Sequence, residues 1–415
     1  MISKIEALNY KCLRYIRQDL RPFQILVGPN ASGKSTFLDV PVFLKDVLEH
    51  GVEAAVLARA NSLRELTWKQ QATTFELALE LTIPSHLRSN GYRFCRYEIR
   101  VGVGAKGGIV LERETFWLKR GKTKDRDERE MILLFPSEPK PPETIVVEPR
   151  QRAPSGWRKV VARMPEGNVY FRSETSGWNA PFRIDPRKAA FANLPEDEER
   201  FPISIWARQA ILSGIHPLML NSLRMREPCR PDAPKDFQPD GSNLPLVVKQ
   251  LRENDEERFR RWLAHVQQVL PNIEDITWSE REVDRFLYLE AHFRGGLRLP
   301  SWMLSDGTLR FLALTLLAYL PNPNNIYLIE EPENGIHPKA LELVFQSLSS
   351  IYDGQVLVAT HSPLLLQLAE PEHLLCFALT HSGATDIVRG DRHPKLKEWR
   401  KEVNLGELLA AGVLG

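Results

Sequence analysis

The sequence predicts an α/β fold whose core is split between the two ends of the chain, with a large β-rich and helical region inserted between them. Near the N-terminus, an apolar strand runs into a glycine-containing loop, QILVGPNASGKS. After residue 300, helical segments alternate with uninterrupted apolar strands, which is typical of a parallel sheet covered by helices on both faces. Short alternating runs occupy the middle of the chain and predict antiparallel strands.

The elements follow in chain order. ISKIEALNY and QILVG predict strands, and a helix follows the loop although Pro41 interrupts its pattern. FELALELTI, YRFCRYEIRVGV, GIVLERETFWL and KVVARM predict an antiparallel β region. Residues 201–223 predict a helix, and 244–270 predict one continuous amphipathic helix. TLRFLALTLLAYL, IYLIEE, KALELVFQSLSSIY and VLVAT predict helix, strand, helix and strand.

The bulk composition limits the class of protein. The chain has 415 residues, a net charge of +2, 43% hydrophobic and 26% charged residues, which is typical of a globular protein with more than one domain. Its four cysteines lie far apart and are expected to be reduced thiols in a cytoplasmic protein. No apolar stretch is long enough to span a membrane, and the start does not resemble a signal peptide. Because the charge is nearly balanced, any contact with DNA must come from local patches.

The loop at 28–35 satisfies the pattern G-x-x-x-x-G-K-[ST] between a strand and a helix. Its glycines allow successive backbone N–H groups to point inward and form an anion nest, and the helix N-terminus adds positive potential. In this motif Lys34 reaches the β- and γ-phosphates, and the Ser35 hydroxyl takes a magnesium position. The sequence therefore predicts a nucleotide triphosphate site with Mg²⁺.

Three further stretches carry chemistry-bearing residues. IYLIEEPENGIHP places Glu330 and Glu331 at the carboxyl end of a strand, where ligands bind in open α/β sheets. One acid there can hold Mg²⁺ and the next can polarise an attacking water, but paired glutamates are also common in turns. LSDGT could instead be a simple helix cap with Ser305 or Asp306 as N-cap, and ATHSP contains His361 after a strand.

The order of these motifs resembles the ABC-type ATPases. It most resembles the branch that includes the RecF, SMC and OLD proteins and the ATPase subunits of bacterial anti-phage systems such as Septu and PARIS. The resemblance implies an ABC-ATPase head with a split core and covers residues 1–40 and 300–365. The predicted domains are an N-terminal core part with the Walker A loop, an inserted β-rich region, a helical region and a C-terminal core part, with limits 1–72, 73–200, 201–283 and 284–415.

The resemblance also implies roles for individual residues. The Walker A residues that would bind ATP and magnesium are Gly28, Asn30, Ser32, Gly33, Lys34, Ser35 and Thr36. Ser305 and Gly307 match the signature motif, which would contact the γ-phosphate held by the opposite subunit. Glu331 matches the catalytic glutamate and His361 the switch histidine, while Glu330 stands where the family usually has Asp near the metal. Gln70 or Gln71 is a candidate for the Q-loop glutamine.

The function that this resemblance implies is a homodimer with shared ATP sites. It would control a separate, nuclease-like effector in phage defence or DNA transactions, because only about fifty residues follow His361, too few for a further domain. Two alternatives remain: a RecF/SMC-like DNA-repair ATPase that binds DNA directly, and a slowly hydrolysing scaffold. A transporter motor is disfavoured, since the insertion occupies more than half of the chain.

Two basic clusters leave DNA binding open. Cationic residues beside an aromatic ring can form a nucleic-acid surface, but charge runs more often form a solvated face. The first cluster surrounds Trp157 and the second lies beside Trp399; their members are Arg150, Arg152, Arg158, Lys159 and Arg163, and Arg389, Arg392, Lys395, Lys397, Arg400 and Lys401.

Overall fold

The computed structural model describes residues 1–121, 134–147, 153–164, 167–321, 324–396 and 405–410. Its strands are β1 (Ile2–Tyr10), β2 (Leu13–Asp19), β3 (Phe23–Val27), β4 (Phe75–Thr82), β5 (Tyr92–Val103), β6 (Ile109–Arg120), β7 (Trp157–Arg163), β8 (Asn168–Arg172), β9 (Asn179–Arg183), β10 (Ile215–Leu218), β11 (Ile273–Glu280), β12 (Leu287–Phe293), β13 (Arg298–Pro300), β14 (Ile326–Glu330), β15 (Gln355–Ala359), β16 (Leu374–Leu379) and β17 (Thr385–Arg389). Its α-helices are α1 (Lys34–His50), α2 (Val52–Leu57), α3 (Pro202–Leu212), α4 (Ser222–Arg226), α5 (Leu244–Asn254), α6 (Glu256–Gln267), α7 (Asp306–Leu316), α8 (Pro338–Ser349), α9 (Pro363–Gln367) and α10 (Leu405–Ala410).

The chain forms two compact units. The first comprises Met1–Ile215 and the described part of Pro371–Arg400, and the second comprises His216–Glu370 and α10. Among the described residues, no helix has the length and hydrophobicity that crossing a membrane requires.

The first unit contains a large antiparallel sheet in the order β2-β1-β4-β5-β6-β7-β8-β9. This confirms the predicted β region. The sheet also crosses the domain limit that the sequence places at residues 72 and 73, because β1 pairs with β4. A buried ion pair connects two of its strands, because the Arg96 guanidinium on β5 lies 2.7 Å from Glu6 on β1, and it lies equally close to Glu98 on its own strand.

The same unit brings distant parts of the sequence together around β3. β3 pairs in parallel with β16, which pairs antiparallel with β17. The N-terminal and C-terminal segments therefore share a sheet, as the split core predicts. Helix α1 follows β3 after a short loop and runs through Pro41 without a break, contrary to the predicted interruption. Its apolar face, including Phe37, Val40 and Leu44, is fully buried and holds the helix across the proline.

In the second unit, β14 and β15 pair in parallel, and helices α7 and α8 precede and follow β14. This confirms the predicted helix–strand–helix–strand order. Strands β11, β12 and β13 form a separate antiparallel sheet. The continuous helix predicted over 244–270 is wrong: Asp255 adopts an extended conformation and caps α6 by accepting a hydrogen bond from the Arg258 N–H. The predicted helix over 201–223 is likewise interrupted, because β10 follows α3.

Candidate functional site

The phosphate loop lies between β3 and α1 in the first unit, and its backbone enters the left-handed region at Gly28 (φ +149°), Ala31 (φ +61°) and Gly33 (φ +102°). Space as well as conformation requires the two glycines. A Cβ atom on Gly28 would lie 2.2 Å from the Phe377 carbonyl oxygen, and one on Gly33 would lie 2.3 Å from the Thr385 hydroxyl. Thus the loop can curl around an anion only with glycine at both positions.

Residues outside the sequence motif support the loop through hydrogen bonds and contacts. The Thr385 hydroxyl donates to the Ser32 carbonyl at 2.9 Å, and the Thr385 N–H donates to the Cys12 carbonyl at 3.0 Å. The Cys12 thiol, 3.5 Å from the Thr36 hydroxyl, contacts the first turn of α1. Thr385 is separated from the loop by more than three hundred residues, so no local signal in the sequence could identify it.

Lys34 begins α1, and its side chain is buried against the loop. The ammonium group donates to the carbonyl oxygens of Gly28 and Pro29, both at 2.8 Å, which places the cation within the loop. Asn30 and Ser35 are exposed on the loop surface. The first turn of α1 carries no acidic residue, so no carboxylate competes with an anion at this helix N-terminus. The cradle, the cation and the N-terminus of α1 together fit a phosphate group.

One carboxylate connects α1 to the elements around it. Asp39 accepts hydrogen bonds from the Tyr10 hydroxyl at 2.6 Å, Lys11 at 2.8 Å and Arg59 at 2.7 Å. Burial alone would raise the pKa of Asp39, but the charges of Arg59 and Lys11 outweigh it and hold the pKa below its usual range. The ionised Asp39 therefore anchors the helix that follows the phosphate loop.

The candidate Q-loop glutamines lie in an exposed turn before β4. Gln70 has φ +57° and the preceding Lys69 has φ +50°, so two successive non-glycine residues adopt a left-handed conformation. The Arg64 guanidinium holds the turn by donating to the Gln70 carbonyl at 2.6 Å. Backbone strain of this kind concentrates at functional segments, but the role of Gln70 or Gln71 stays a prediction.

In the second unit, Glu330 ends β14, and Glu331 begins a turn beside the end of β15. The Glu331 N–H donates to the Ala359 carbonyl at 2.8 Å, which brings the carboxyl ends of the two strands together. Glu331 has φ +47°, an unusual value for a residue with a side chain. Its Oε2 accepts a hydrogen bond from the Asn334 amide at 2.5 Å. Glu331 is thus a strained, exposed carboxylate whose orientation is fixed by its own turn.

Glu333 links this turn to the segment that carries His361. Its Oε1 accepts hydrogen bonds from the Thr360 hydroxyl at 2.7 Å and from the His361 N–H at 3.0 Å. Its Oε2 is buried and has no hydrogen-bond partner among the described residues. Glu333 and Asn334 were missed by sequence reasoning, which assigned roles only to the paired glutamates before them.

The signature segment forms the start of α7. The Ser305 hydroxyl accepts a hydrogen bond from the Thr308 N–H at 3.1 Å, so the alternative reading of Ser305 as a helix cap is correct for this structure. A Cβ on Gly307 would lie 2.3 Å from the Gly335 carbonyl oxygen, so this glycine is needed where α7 meets the turn that carries Glu331. Ser305 nevertheless stays exposed at the helix N-terminus.

The proposed metal ligands are divided between the units: Ser35 belongs to the first and Glu330 to the second. Within the described ranges, the structure contains no group of three or more His, Cys, Asp or Glu side chains that could hold a metal ion. Magnesium usually keeps several waters and substrate phosphates among its ligands. The Ser35 hydroxyl and the Glu330 carboxylate are each an oxygen ligand of the kind that Mg²⁺ accepts, and their role as its ligands stays a prediction.

The described members of the basic cluster around Trp157 do not form an open cationic surface. Arg163 is buried against Glu114 at 3.3 Å, and Lys159 lies over the Trp117 ring at 4.9 Å. Arg158 donates to the backbone carbonyls of Ser173 and Ser176. In the second cluster Arg389 pairs with Asp391, and Arg392 and Lys395 are exposed. The members Arg150, Arg152, Lys397, Arg400 and Lys401, with Trp399, lie outside the described residues.

Comparison with known proteins identifies the family. Residues 23–367 match the family model described as "AAA domain, putative AbiEii toxin, Type IV TA system". The chain belongs to this family. No curated protein matches the sequence.

The fold is similar to that of SMC ATPase heads. A solved SMC head bound to the C-terminal winged-helix domain of ScpA aligns with a TM-score of 0.54 and 14% identity, over 93% of this chain and 97% of that one. SMC heads from Thermotoga maritima (TM-score 0.43, 14% identity, 94% and 98% covered) and Pyrococcus furiosus (0.49, 12%, 93% and 95%) also match. The first of these matches confirms the α/β head fold, and the other two are too weak to add to it.

Proposed function

We propose that the protein binds and hydrolyses ATP and acts as a nucleotide-switched homodimer that controls a separate effector. The observation that carries the proposal is the phosphate loop, in which contacts exclude a Cβ atom at Gly28 and Gly33 and the Lys34 ammonium lies among the loop carbonyls. Positive-φ glycines before a helix N-terminus allow successive backbone N–H groups to converge on an anion. The family match supports the same activity.

Residues of the loop would bind the triphosphate. Lys34 has three N–H donors and can exchange a carbonyl for a phosphate oxygen, while the backbone N–H groups of Asn30 and Gly33 and the N-terminus of α1 would supply further donors. Thr36 follows Ser35 in the first helical turn and completes the set. Mg²⁺, held by Ser35 and Glu330, would neutralise phosphate charge when bound.

The second unit would supply the hydrolytic groups. Glu331 is exposed and oriented by Asn334, as a residue that positions an attacking water must be. His361 is half-buried, and its backbone is fixed by Glu333, which leaves the imidazole to contact a γ-phosphate. Glu330 is one methylene longer than the usual Asp, which would shift its geometry at the metal and slow hydrolysis. The alternative is therefore a scaffold that binds ATP and hydrolyses it slowly, and measured turnover distinguishes the two.

Pairing of two chains would complete each site. One chain carries one phosphate loop and one signature segment, and the helix N-terminus at Ser305 and Gly307 is suited to an anion from a second copy. An isologous dimer would then bury two nucleotides, with ATP as the switch.

An effector in trans is proposed by analogy. The SMC head of the similar structure is bound to a domain of another protein, ScpA. The family description refers to a putative toxin of a toxin–antitoxin system, which is consistent with a role in defence against phage. Direct DNA binding, as in a DNA-repair ATPase, is the second candidate, and Arg392 and Lys395 are exposed members of the second basic cluster that would contact the DNA.

The test compares nucleotide binding and turnover in Lys34→Ala and Lys106→Ala proteins. Lys106 is an exposed lysine in the turn between β5 and β6 and serves as the matched control. Removal of the Lys34 cation is expected to weaken ATP binding at least tenfold, about the loss of one charged hydrogen bond, and to abolish measurable Mg²⁺-dependent phosphate release. Unchanged binding and turnover in Lys34→Ala protein would refute the assignment of the loop.

A further inference from the structure

The segment that we assign to a phosphate contains an acidic residue. Asp306 lies between Ser305 and Gly307 and is the first residue of α7. A carboxylate in the first turn stabilises a helix, but it also repels any other anion that approaches the same helix end. The Asp306 side chain is 58% exposed, so its charge faces the surface on which an anion would dock. The proposed function therefore requires that this charge be compensated.

Arg226 contacts the segment on both sides of Ser305. Its Nη2 lies 2.7 Å from Asp306 Oδ1 and also donates to the Leu304 carbonyl at 2.9 Å. The Arg226 Nε atom donates to the same carbonyl at 3.3 Å. One guanidinium thus pairs with the carboxylate after Ser305 and with the backbone before it.

The position of Arg226 is itself fixed. It is the last residue of α4, and its carbonyl accepts a hydrogen bond from the Ser301 hydroxyl at 3.0 Å, in the 3₁₀ turn that leads into the signature segment. A guanidinium keeps its charge at any pH at which the protein is folded, and its fork can serve two acceptors at once. These contacts connect α4, the 3₁₀ turn and α7 through a single side chain.

We propose that Arg226 is a positioning residue that neutralises Asp306 and fixes the Leu304 backbone, so that the N-terminus of α7 can accept the terminal phosphate of ATP held by a second copy of the chain. The inference rests on the shared-site dimer of the proposed function. It assigns to Arg226 an electrostatic role, which differs from a role in folding, because the defect caused by its loss depends on the charge of Asp306.

The experiment measures ATP-dependent dimerisation by light scattering in a Glu331→Gln background, in which hydrolysis does not remove the ligand. Arg226→Met is expected to raise the ATP concentration for half-dimerisation by about tenfold, the effect of an uncompensated charge close to an anion. Arg224→Met is the control, because Arg224 lies on the same short helix and pairs with the exposed Glu227. The control is expected to dimerise as the parent does.

Two further measurements separate charge from structure. Adding Asp306→Asn to Arg226→Met is expected to recover most of the lost dimerisation, because the repelling charge is gone. Raising the salt concentration from about 0.1 M to about 1 M shortens the Debye length from roughly 10 Å to roughly 3 Å and is expected to shrink the defect of Arg226→Met relative to the parent. Arg226→Lys keeps the charge but not the forked guanidinium, and it provides a second variant if Arg226→Met does not fold. It is expected to lose less ATP-dependent dimerisation than Arg226→Met.

The outcomes distinguish this inference from the function on which it rests. If the parent does not dimerise with ATP, the shared site is wrong and this role falls with it. If the parent dimerises but Arg226→Met matches it, or the double variant stays as weak as Arg226→Met at every salt concentration, Arg226 has no electrostatic role and only this inference is overturned.

Discussion

The phosphate loop and the turn that carries Glu331 are built in different ways. The phosphate loop is shaped by its own backbone, with glycines packed directly against the Phe377 carbonyl and the Thr385 hydroxyl. The Glu331 turn and the signature segment consist of exposed residues held by polar side chains from outside the recognisable motifs, namely Asn334, Glu333 and Arg226. The motif therefore contains the glycines that shape the first region, although Thr385 supports them from outside it, whereas the orientation of the second region depends on partners that the motif does not contain.

The largest effect is expected from Glu331→Gln. The amide keeps the shape of the side chain but cannot act as a base, so kcat should fall by about 10²- to 10⁴-fold while ATP still binds. Dimers should accumulate in the presence of ATP, as light scattering or size-exclusion chromatography would show. If the Glu331→Gln variant hydrolyses ATP at the parent rate, or shows no enrichment of dimer with ATP, Glu331 does not have the assigned role.

A smaller effect is expected from Glu333→Gln, which tests whether the second region depends on residues outside the motifs. The amide retains an acceptor for Thr360 and His361 but loses the charge that strengthens both hydrogen bonds, so kcat should fall by roughly tenfold with little change in ATP affinity. Glu342→Gln, an exposed position on α8, is the control. A fall in ATP affinity with unchanged kcat would contradict a role through the His361 segment.

Thr385→Val should affect the phosphate loop less, because the backbone already determines its shape. The substitution removes the donor to the Ser32 carbonyl, a neutral hydrogen bond worth about 1 kcal/mol, and should weaken ATP binding by roughly fivefold. Titration with a fluorescent ATP analogue measures this loss. A loss as large as that in Lys34→Ala protein would mean that the loop is not shaped chiefly by its own backbone.

The smallest effect on either region is expected from Asp39→Asn, which changes stability instead. Because the pKa of Asp39 is lowered in the folded protein, its contribution is present above the unfolded pKa of about 3.9 and is lost as the pH falls through the folded value. At neutral pH the variant should lose about 1.5–3 kcal/mol of unfolding free energy. Below about pH 4 the difference in unfolding free energy between the variant and the parent should narrow in denaturant titrations. A difference that stays constant with pH would exclude the charge of Asp39 as its cause.

The sequence could predict features that depend on local pattern. The phosphate loop, the strand ending at Glu330 and the parallel pairing of β14 with β15 all follow from spacing that a short window contains. The break at Asp255 also had a local signal, since an Asp followed by Glu256 and Glu257 is a helix N-cap pattern. There, the continuous apolar periodicity on both sides concealed the cap.

The supporting residues could not be predicted in this way. Thr385 meets Ser32, Arg226 meets Leu304, and Glu333 meets Thr360 across 353, 78 and 27 residues of sequence, respectively. Nothing in the local pattern of Arg226 or Glu333 distinguishes them from the many exposed charged residues of the chain. For Arg163 the sequence misled in the opposite direction. The run of basic residues in its strand suggested an exposed charge, whereas its side chain is buried and paired with Glu114.

The most direct test of the central claim, that two chains share each ATP site, is to mix Lys34→Ala protein with Ser305→Arg protein and measure ATP hydrolysis. Each variant alone should be inactive, since the first lacks a phosphate cation and the second blocks the partner's phosphate with a bulky charged side chain. In the heterodimer, the intact phosphate loop of the Ser305→Arg chain meets the intact signature of the Lys34→Ala chain, so part of the activity should return. No recovery at any mixing ratio, with heterodimers shown to form, would contradict the shared site.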